Sequence, residues 1–319
     1  MLVRIWGSRG SLPVAMNTRT LQDKMVRALL AAAGRDIDTE AKARAFLEND
    51  LDFAVSHTFG GNSPCVEIDA GGPEYILCDL GTGVRVLGNH VLATHGAAKK
   101  HTYHVFMSHL HWDHIMGFPF FAPAYIAGNR IRIYGCHSEL EQAFRRQHSA
   151  PNFPVEFDQL AATIEFVVLT AGERREVAGV TVEPMLQLHS GDSYGYRIEH
   201  AGKSVVYSTD SEHRPDDERQ QAAFVRLFRE ADLVIFDAMY SLADAVSVKA
   251  DWGHSSNIIG VELCQMAGAK RLCLFHHEPV YSDERIQGVW RETQRLEQLT
   301  RSGAPLEILS AYDGMEVRL

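Results

Sequence analysis

The 319-residue sequence predicts an α/β layer structure of two β-sheets with helices on the outside. Short β-like runs bounded by turn residues dominate the chain, and helical patterns sit between some of them. The strands come first in runs and later alternate with helices, the order that builds layered sheets. In chain order the strand-like runs are Leu2–Trp6, Cys65–Ile68, Tyr75–Cys78, His104–Met107, Ile131–Tyr134 and Ile164–Leu169. Val180–Leu188, Tyr194–Glu199, Ser204–Ser208, Leu233–Phe236, Leu272–Phe275 and Leu306–Leu309 follow. The clearest helices are Asp217–Glu230, Asn257–Ala267 and Ser282–Ser302, the last opening on Ser and two acids and stopping at Gly303. Its residues Ile286, Val289, Trp290, Thr293, Leu296 and Leu299 trace one apolar stripe, the spacing of a helix lying on a sheet.

Residues 13–56 differ in character from their surroundings. Thr20–Ala33 and Thr39–Asn49 both read as helices, with Gly34 a stop between them. This is expected to be a helical insertion near the N-terminus of a single domain spanning 1–319: a hairpin packed on the surface or, alternatively, a lid or dimer contact.

Composition narrows the function classes. Hydrophobic residues at 45% and charged residues at 23% are those of an ordinary globular protein. Lys plus Arg is 31 against 41 Asp plus Glu, a formal charge of −10, the wrong sign for coating nucleic acid or anionic membrane. Cys65, Cys78, Cys136, Cys264 and Cys273 form an odd set without a Cys-x-x-Cys pair, which argues against a disulfide framework or a structural zinc ribbon. With no apolar stretch of signal-peptide or membrane-spanning length, a cytoplasmic protein without membrane partners is expected. The 16 His are the anomaly, because imidazole is the commonest metal ligand.

Residues 108–117 read SHLHWDHIMG, directly after the apolar run Val105–Met107. Side chains two apart in extended backbone project to one side. His109 and His111 can therefore hold one ion while Asp113 and His114, where a helix would begin, turn toward a second. Imidazole and carboxylate together suit zinc, and the residue types also admit iron or manganese. Further candidates fall at or just beyond strand ends: His189, Asp210, and His276 with His277. Strand ends converging on one edge are where α/β enzymes place ligands. Asp210 could bridge two ions through its two oxygens. Asp79 reads as a carboxylate accepting a ligand imidazole's other N–H.

These residues resemble the metallo-β-lactamase-fold superfamily, whose H-x-H-x-D-H signature is met by His109 to His114. Asp79 in LCDLGTG, His189 in LQLHSG, Asp210 in YSTD and His276 in LFHH follow in the superfamily's order. The resemblance implies a four-layer αββα sandwich with a dinuclear metal site at one edge. It implies His109, His111 and His189 at the first site, Asp113, His114 and His276 at the second, and Asp210 between them. His277 is an alternative to His276, although position after the strand favours His276.

A narrower resemblance is to the branch of ribonuclease Z, class II cyclic-nucleotide phosphodiesterases and carbon–phosphorus pathway phosphodiesterases. It rests on Trp252–Asn257 (WGHSSN), with GSRGSLP, GGNSPCVEID and LCDLGTG. In that branch the His matching His254 assists departure of the leaving alcohol. The chain departs from the tRNA-processing members: His276 is followed by His277, Glu278 and Pro279, and nothing resembles their Gly/Pro-rich arm. With the charge of −10, this argues against tRNA.

The expected activity is dinuclear metal-dependent hydrolysis of a small or cyclic nucleotide-type phosphodiester. Water between two divalent ions becomes hydroxide near neutral pH. Asp113 can orient it, and protonated His254 can deliver a proton to the departing oxygen, help worth typically 10² to 10⁴ in rate. No stable nucleic-acid partner is expected. Relatives in the branch are often dimers, and residues 13–56 offer a surface for a homodimer. Weaker candidates are His213, as a pocket or phosphate contact or a solvated loop residue, and Tyr240, as a substrate contact or packing residue. The loop His148–Asp158, with Phe153 and Phe157, could offer an aromatic surface to a base or fold onto the core. Competing readings are hydrolysis of a lactone, thioester or β-lactam, an iron-dependent redox enzyme, and a noncatalytic scaffold.

Overall fold

A computed structural model describes residues 1–214, 217–239 and 253–319. Among these residues the chain forms two seven-stranded sheets. The first contains β1 (Leu2–Gly7), β2 (Cys65–Asp69), β3 (Tyr75–Cys78), β4 (Thr102–Phe106), β5 (Arg130–Gly135) and β6 (Thr163–Val168). The second contains β7 (Arg175–Val177), β8 (Val180–Gln187), β9 (Ser193–His200), β10 (Lys203–Ser208), β11 (Leu233–Asp237), β12 (Arg271–Phe275) and β13 (Glu307–Ser310). The last strand, β14 (Glu316–Arg318), returns to pair antiparallel with β1. In the first sheet β3 through β6 run parallel, and in the second β10 through β13 do. The antiparallel strands β1–β2 and β7–β9 occupy the remaining positions.

Strand alternation explains the layering. Val205 and Tyr207 of β10, Leu233 and Ile235 of β11, and Cys273 and Phe275 of β12 face the first sheet, in one core with Val3, Ile5, Val66, Ile76 and Phe106. Their neighbours Val206, Val234, Phe236, Leu272 and Leu274 face outward and are covered by Phe224 and Phe228 of helix Glu218–Phe228, Val261 of helix Asn257–Ala267, and Val289 of helix Asp283–Thr300. On the other outside, Val84, Leu87 and Val91 of helix Gly83–His95 pack with Leu77, Val105, Ile131 and Ile133. Strands buried on both faces read as continuous apolar runs. Each large side chain removed from water contributes roughly 1.5–3 kcal/mol, so three such cores dominate the stability.

The predicted strands all appear, with bounds shifted by two residues at most. Among the described strands and α-helices, four were not foreseen: β7, β14, helix Gly83–His95 and the single turn Phe53–Ser56. Residues 13–56 form the expected pair of helices, Thr18–Ala32 and Glu40–Asn49, capped by the side chains of Asn17 and Thr39. The first helix is held by its polar side. Lys24 is buried, bonds Asp283 at the start of helix Asp283–Thr300, and donates to His57 O at 2.6 Å. No described helix is long and apolar enough to cross a membrane.

Candidate metal centre

The parallel strands of both sheets end at one edge, and every strongly predicted ligand lies there. Beyond β4, His109 and His111 come off extended backbone, and a single helical turn, Trp112–Ile115, turns Asp113 and His114 inward. His189 follows β8, Asp210 follows β10 and His276 follows β12. Asp79, Asp210 and His276 sit at φ of 60°, 47° and 60°, the left-handed region that residues other than glycine seldom adopt. There the chain doubles back as it leaves the strand and aims the side chain along the edge. Backbone strain of this kind concentrates at functional sites.

Four overlapping groups of donor atoms result among the described residues: His109 with His114 and Asp210, Asp210 with His254 and His276, and two that share no member. The latter are His109 with His111 and His189, and Asp113 with His114 and His276. Asp210 stands between them: Oδ2 lies 3.7 Å from His109 Nε2 and 3.8 Å from His189 Nε2, while Oδ1 lies 3.2 Å from His114 Nε2 and 3.3 Å from His276 Nε2. His111 Nδ1 and His189 Nε2 are 3.2 Å apart, and the Nε2 atoms of His114 and His276 are 3.4 Å apart. Ligands ~2.0–2.1 Å from a tetrahedral ion stand ~3.3 Å from one another, so the spacings suit divalent metal ions. His109 Nε2 makes the same point, being buried without a hydrogen-bond partner among the described residues. Such an atom is costly unless something outside the protein satisfies it.

For His109, His111, His189, Asp113 and Asp210, electrostatics favour the form that binds metal. Burial pushes His109, His111 and His189 below the usual histidine range, leaving neutral imidazoles with a lone pair. Burial opposes ionisation of Asp113, but His114 and His276 hold its carboxyl well below the usual range. His276, His114 and His109 do the same for Asp210. Burial lowers His114, and the surrounding Asp113, Asp210 and Asp79 outweigh it and raise it well above the ordinary value.

Behind the donors the imidazoles are oriented as metal ligands require. Asp79 Oδ2 accepts from His114 Nδ1, Ser108 Oγ and Tyr207 Oη, each at 2.7 Å, and its Oδ1 accepts from Ser108 N at 2.7 Å. His189 Nδ1 donates to Gly253 O at 2.6 Å, which turns Nε2 into the centre. His254 lies beside both groups, its ring 5.1 Å from that of His276 and 5.2 Å from that of His189. Its Nδ1 meets Asp237 Oδ2 at 2.9 Å. Burial works against its charge, but Asp237, Asp210 and Asp113 raise it to about 9.

Asp237 was missed as a site residue; the signal was its place directly after the apolar run Leu233–Phe236, shared in kind with Asp79, Asp210 and His276. The weaker candidates fall outside the centre or outside the described residues. His277 turns away, its Nε2 donating to Ala311 O at 2.8 Å, so His276 alone of the pair joins the donors. His213 neither reaches the site nor stands solvated: its ring packs 4.3 Å from Phe224 and 5.3 Å from Phe236, because the chain passes under helix Glu218–Phe228. Tyr240 lies outside the described residues.

A sequence model described as a β-lactamase superfamily domain matches residues 74–277. The chain belongs to the β-lactamase superfamily. Its two sheets with flanking helices are that superfamily's metallo-β-lactamase sandwich, a fold that implies divalent metal ions. The ribonuclease Z of Natronomonas pharaonis is 27% identical over 227 residues, 56% of this chain and 71% of that protein. Among solved structures, the metallo-β-lactamase fold protein YhfI from Bacillus subtilis superposes with a TM-score of 0.64 at 17% identity, covering 99% of this chain and 98% of that one. The short form of human tRNase Z superposes with a TM-score of 0.60 at 18% identity, covering 100% of this chain and 99% of that one. The sequence relative supports a superfamily hydrolase, and the solved structures show the fold. The expectation of no nucleic-acid partner gains no support from them, since the sequence relative carries a ribonuclease's name.

Proposed function

We propose that the protein is a dinuclear metal-dependent phosphodiesterase acting on a small or cyclic nucleotide-type phosphodiester. The observation that carries the reading is His254, which lies within ligand distance of Asp210 and His276 but whose Nδ1 is held by Asp237. A carbonyl substrate has less need of a separate acid, whereas an alkoxide leaving a phosphodiester gains from one.

In this reading His109, His111 and His189 would hold one ion and Asp113, His114 and His276 the other, with Asp210 available to both. Zinc suits the donors best, with manganese and iron as alternatives. When bound, the ions supply an activated water at neutral pH and stabilise charge growing on the phosphoryl oxygens. Asp113, ionised, accepts a hydrogen bond from the attacking water and orients it. His254, protonated and tied to Asp237 at Nδ1, gives its Nε2 proton to the departing oxygen. Asp237 then keeps the ring aligned for reprotonation from solvent. The reduced cysteines fit a cytoplasmic setting.

The likeness to ribonuclease Z favours a second reading, in which the same chemistry cuts a phosphodiester of RNA. The deciding experiment is elemental analysis paired with hydrolysis of bis(p-nitrophenyl) phosphate and of a 3′-extended RNA, by wild type and His254→Ala at equal metal loading. Two zinc per chain and a fall in diester turnover of ~10² or more in the mutant support the phosphodiesterase. Preference for the RNA moves the substrate class to the second reading. Two ions without diester turnover would point to a lactone or thioester, and iron in place of zinc to redox chemistry.

A further inference from the structure

Trp112 stands between two donor residues, His111 and Asp113, on the one-turn helix Trp112–Ile115. Backbone bonds from His114 N to His111 O at 3.1 Å and from Met116 N to Trp112 O at 2.7 Å fix the turn. Successive side chains on a helical turn diverge by about 100°. Asp113 therefore enters the centre, while the indole lies outside with 79% of its surface in solvent. His111 is exposed as well, so this is the open side of the centre.

The other described tryptophans behave differently. Trp6 Nε1 donates to Glu67 Oε2 at 2.9 Å and Trp290 Nε1 to Ile308 O at 2.8 Å, and both rings are half-buried. The indole of Trp112 makes no hydrogen bond among the described residues and packs into none of the three cores. A large aromatic left in water gains nothing for the fold, and its place at the rim gives it a use in binding. Further along the same segment Phe120 is 58% exposed and meets Phe153 edge-on, 5.6 Å between centroids. Gln147 Nε2, donating to Ile115 O at 3.1 Å, holds the stretch that carries Phe153 beside this rim.

We infer that Trp112 is the stacking platform for the nucleobase of the substrate, an inference that rests on the phosphodiesterase reading above. The donor groups and His254 can engage the phosphate, and neither offers a flat apolar face to a base. With a charge of −10 the chain has no general attraction for nucleotides, so affinity has to come from local contacts. Stacking on an indole accepts any base, because every base has a π-face.

The test compares zinc-loaded wild type, Trp112→Ala and Trp112→Phe. The first readout is kcat/KM for the p-nitrophenyl ester of thymidine 5′-monophosphate divided by that for methyl p-nitrophenyl phosphate, which has no base. This ratio falls by about 10- to 100-fold in Trp112→Ala, the range set by one stacked base, and is largely restored in Trp112→Phe. The second readout is calorimetric binding of AMP and of ribose 5-phosphate, which needs no turnover. AMP binds at least ten times more tightly than ribose 5-phosphate to wild type and Trp112→Phe, and equally to Trp112→Ala. An unchanged ratio in Trp112→Ala, or equal binding of AMP and ribose 5-phosphate by wild type, overturns the inference. Wild type that hydrolyses neither ester but still discriminates AMP through Trp112 overturns the phosphodiesterase reading and leaves the platform standing.

Discussion

A single backbone atom decides where His189 points. Gly253 sits at φ +79°, and a Cβ there would stand 2.6 Å from His189 Nδ1, the atom its own carbonyl holds. Gly253→Ala is therefore expected to push the imidazole out of the first donor group. Elemental analysis should find a protein that keeps one ion and loses the other; two retained ions would show that His189 is not held in this way. Elsewhere a histidine serves stability. Burial lowers His213 to about 4, so between pH 6.5 and 4 the unfolded chain binds a proton that the native one refuses. Stability falls as pH drops through that window, by about 2–3 kcal/mol between pH 7.5 and 4.5 at 1.36 kcal/mol per pKa unit. His213→Phe should remove that share of the slope in urea titrations at the two pH values, and an undiminished slope would contradict it. At this scale the candidate donors were legible because His109, His111, Asp113 and His114 crowd into six positions. The Asp237 partner of His254 was not, because 17 residues of sequence separate the two and only the placement of β11 brings them together.

Helix Thr18–Ala32 is amphipathic in reverse. Its buried contact is a charge, Lys24 on Asp283, supported by Arg27 on Glu284, while Leu21, Met25, Val26, Leu29 and Leu30 are between 49% and 71% exposed. Positions 21, 25 and 29 fall one above another on one face, so an apolar stripe runs the length of the helix. Residues 13–56 were expected from the sequence to offer a surface for a homodimer, and two copies of this stripe packing against each other would make an isologous contact. Leu29→Glu with Leu30→Glu would place four charges in a two-fold interface. Sedimentation should then change from dimer to monomer while melting of the monomer stays cooperative, and an unaltered dimer would put the interface elsewhere. The pair of helices was legible from periodicity and from Gly34, but which side it buries was not, since the clamp joins residues 259 apart in sequence. Helix Gly83–His95 was missed because it starts inside the Gly81–Gly83 turn and Thr82 makes no side-chain cap, so no start signal marks it. Strands β7 and β14 have three residues each, too few to show a period of two.

At the scale of the whole molecule, the candidate metal centre is a seam. The first sheet supplies His109, His111, Asp113 and His114, and the second supplies His189, Asp210 and His276, so each donor group draws on both sheets. Metal-independent bonds cross the same seam: Tyr207 Oη to Asp79 Oδ2 and Tyr196 Oη to Met107 O, both at 2.7 Å, above the shared apolar core. The layering was legible because both faces of the central strands are apolar; the seam was not, because strand order is set by long-range pairing that no local pattern encodes. Removing metal should therefore loosen the joint without unfolding the sheets. An ion at ~1,000 times its dissociation constant stabilises by ~4 kcal/mol. In a chain of this size its loss lowers Tm on the order of 10 °C. Calorimetry before and after chelation, and after restoring zinc, should show that fall and its reversal with far-UV circular dichroism unchanged. A Tm indifferent to chelation would mean that the donors of the two sheets hold no shared ion, and collapse of the far-UV signal would mean that the apolar core alone does not hold the sheets together.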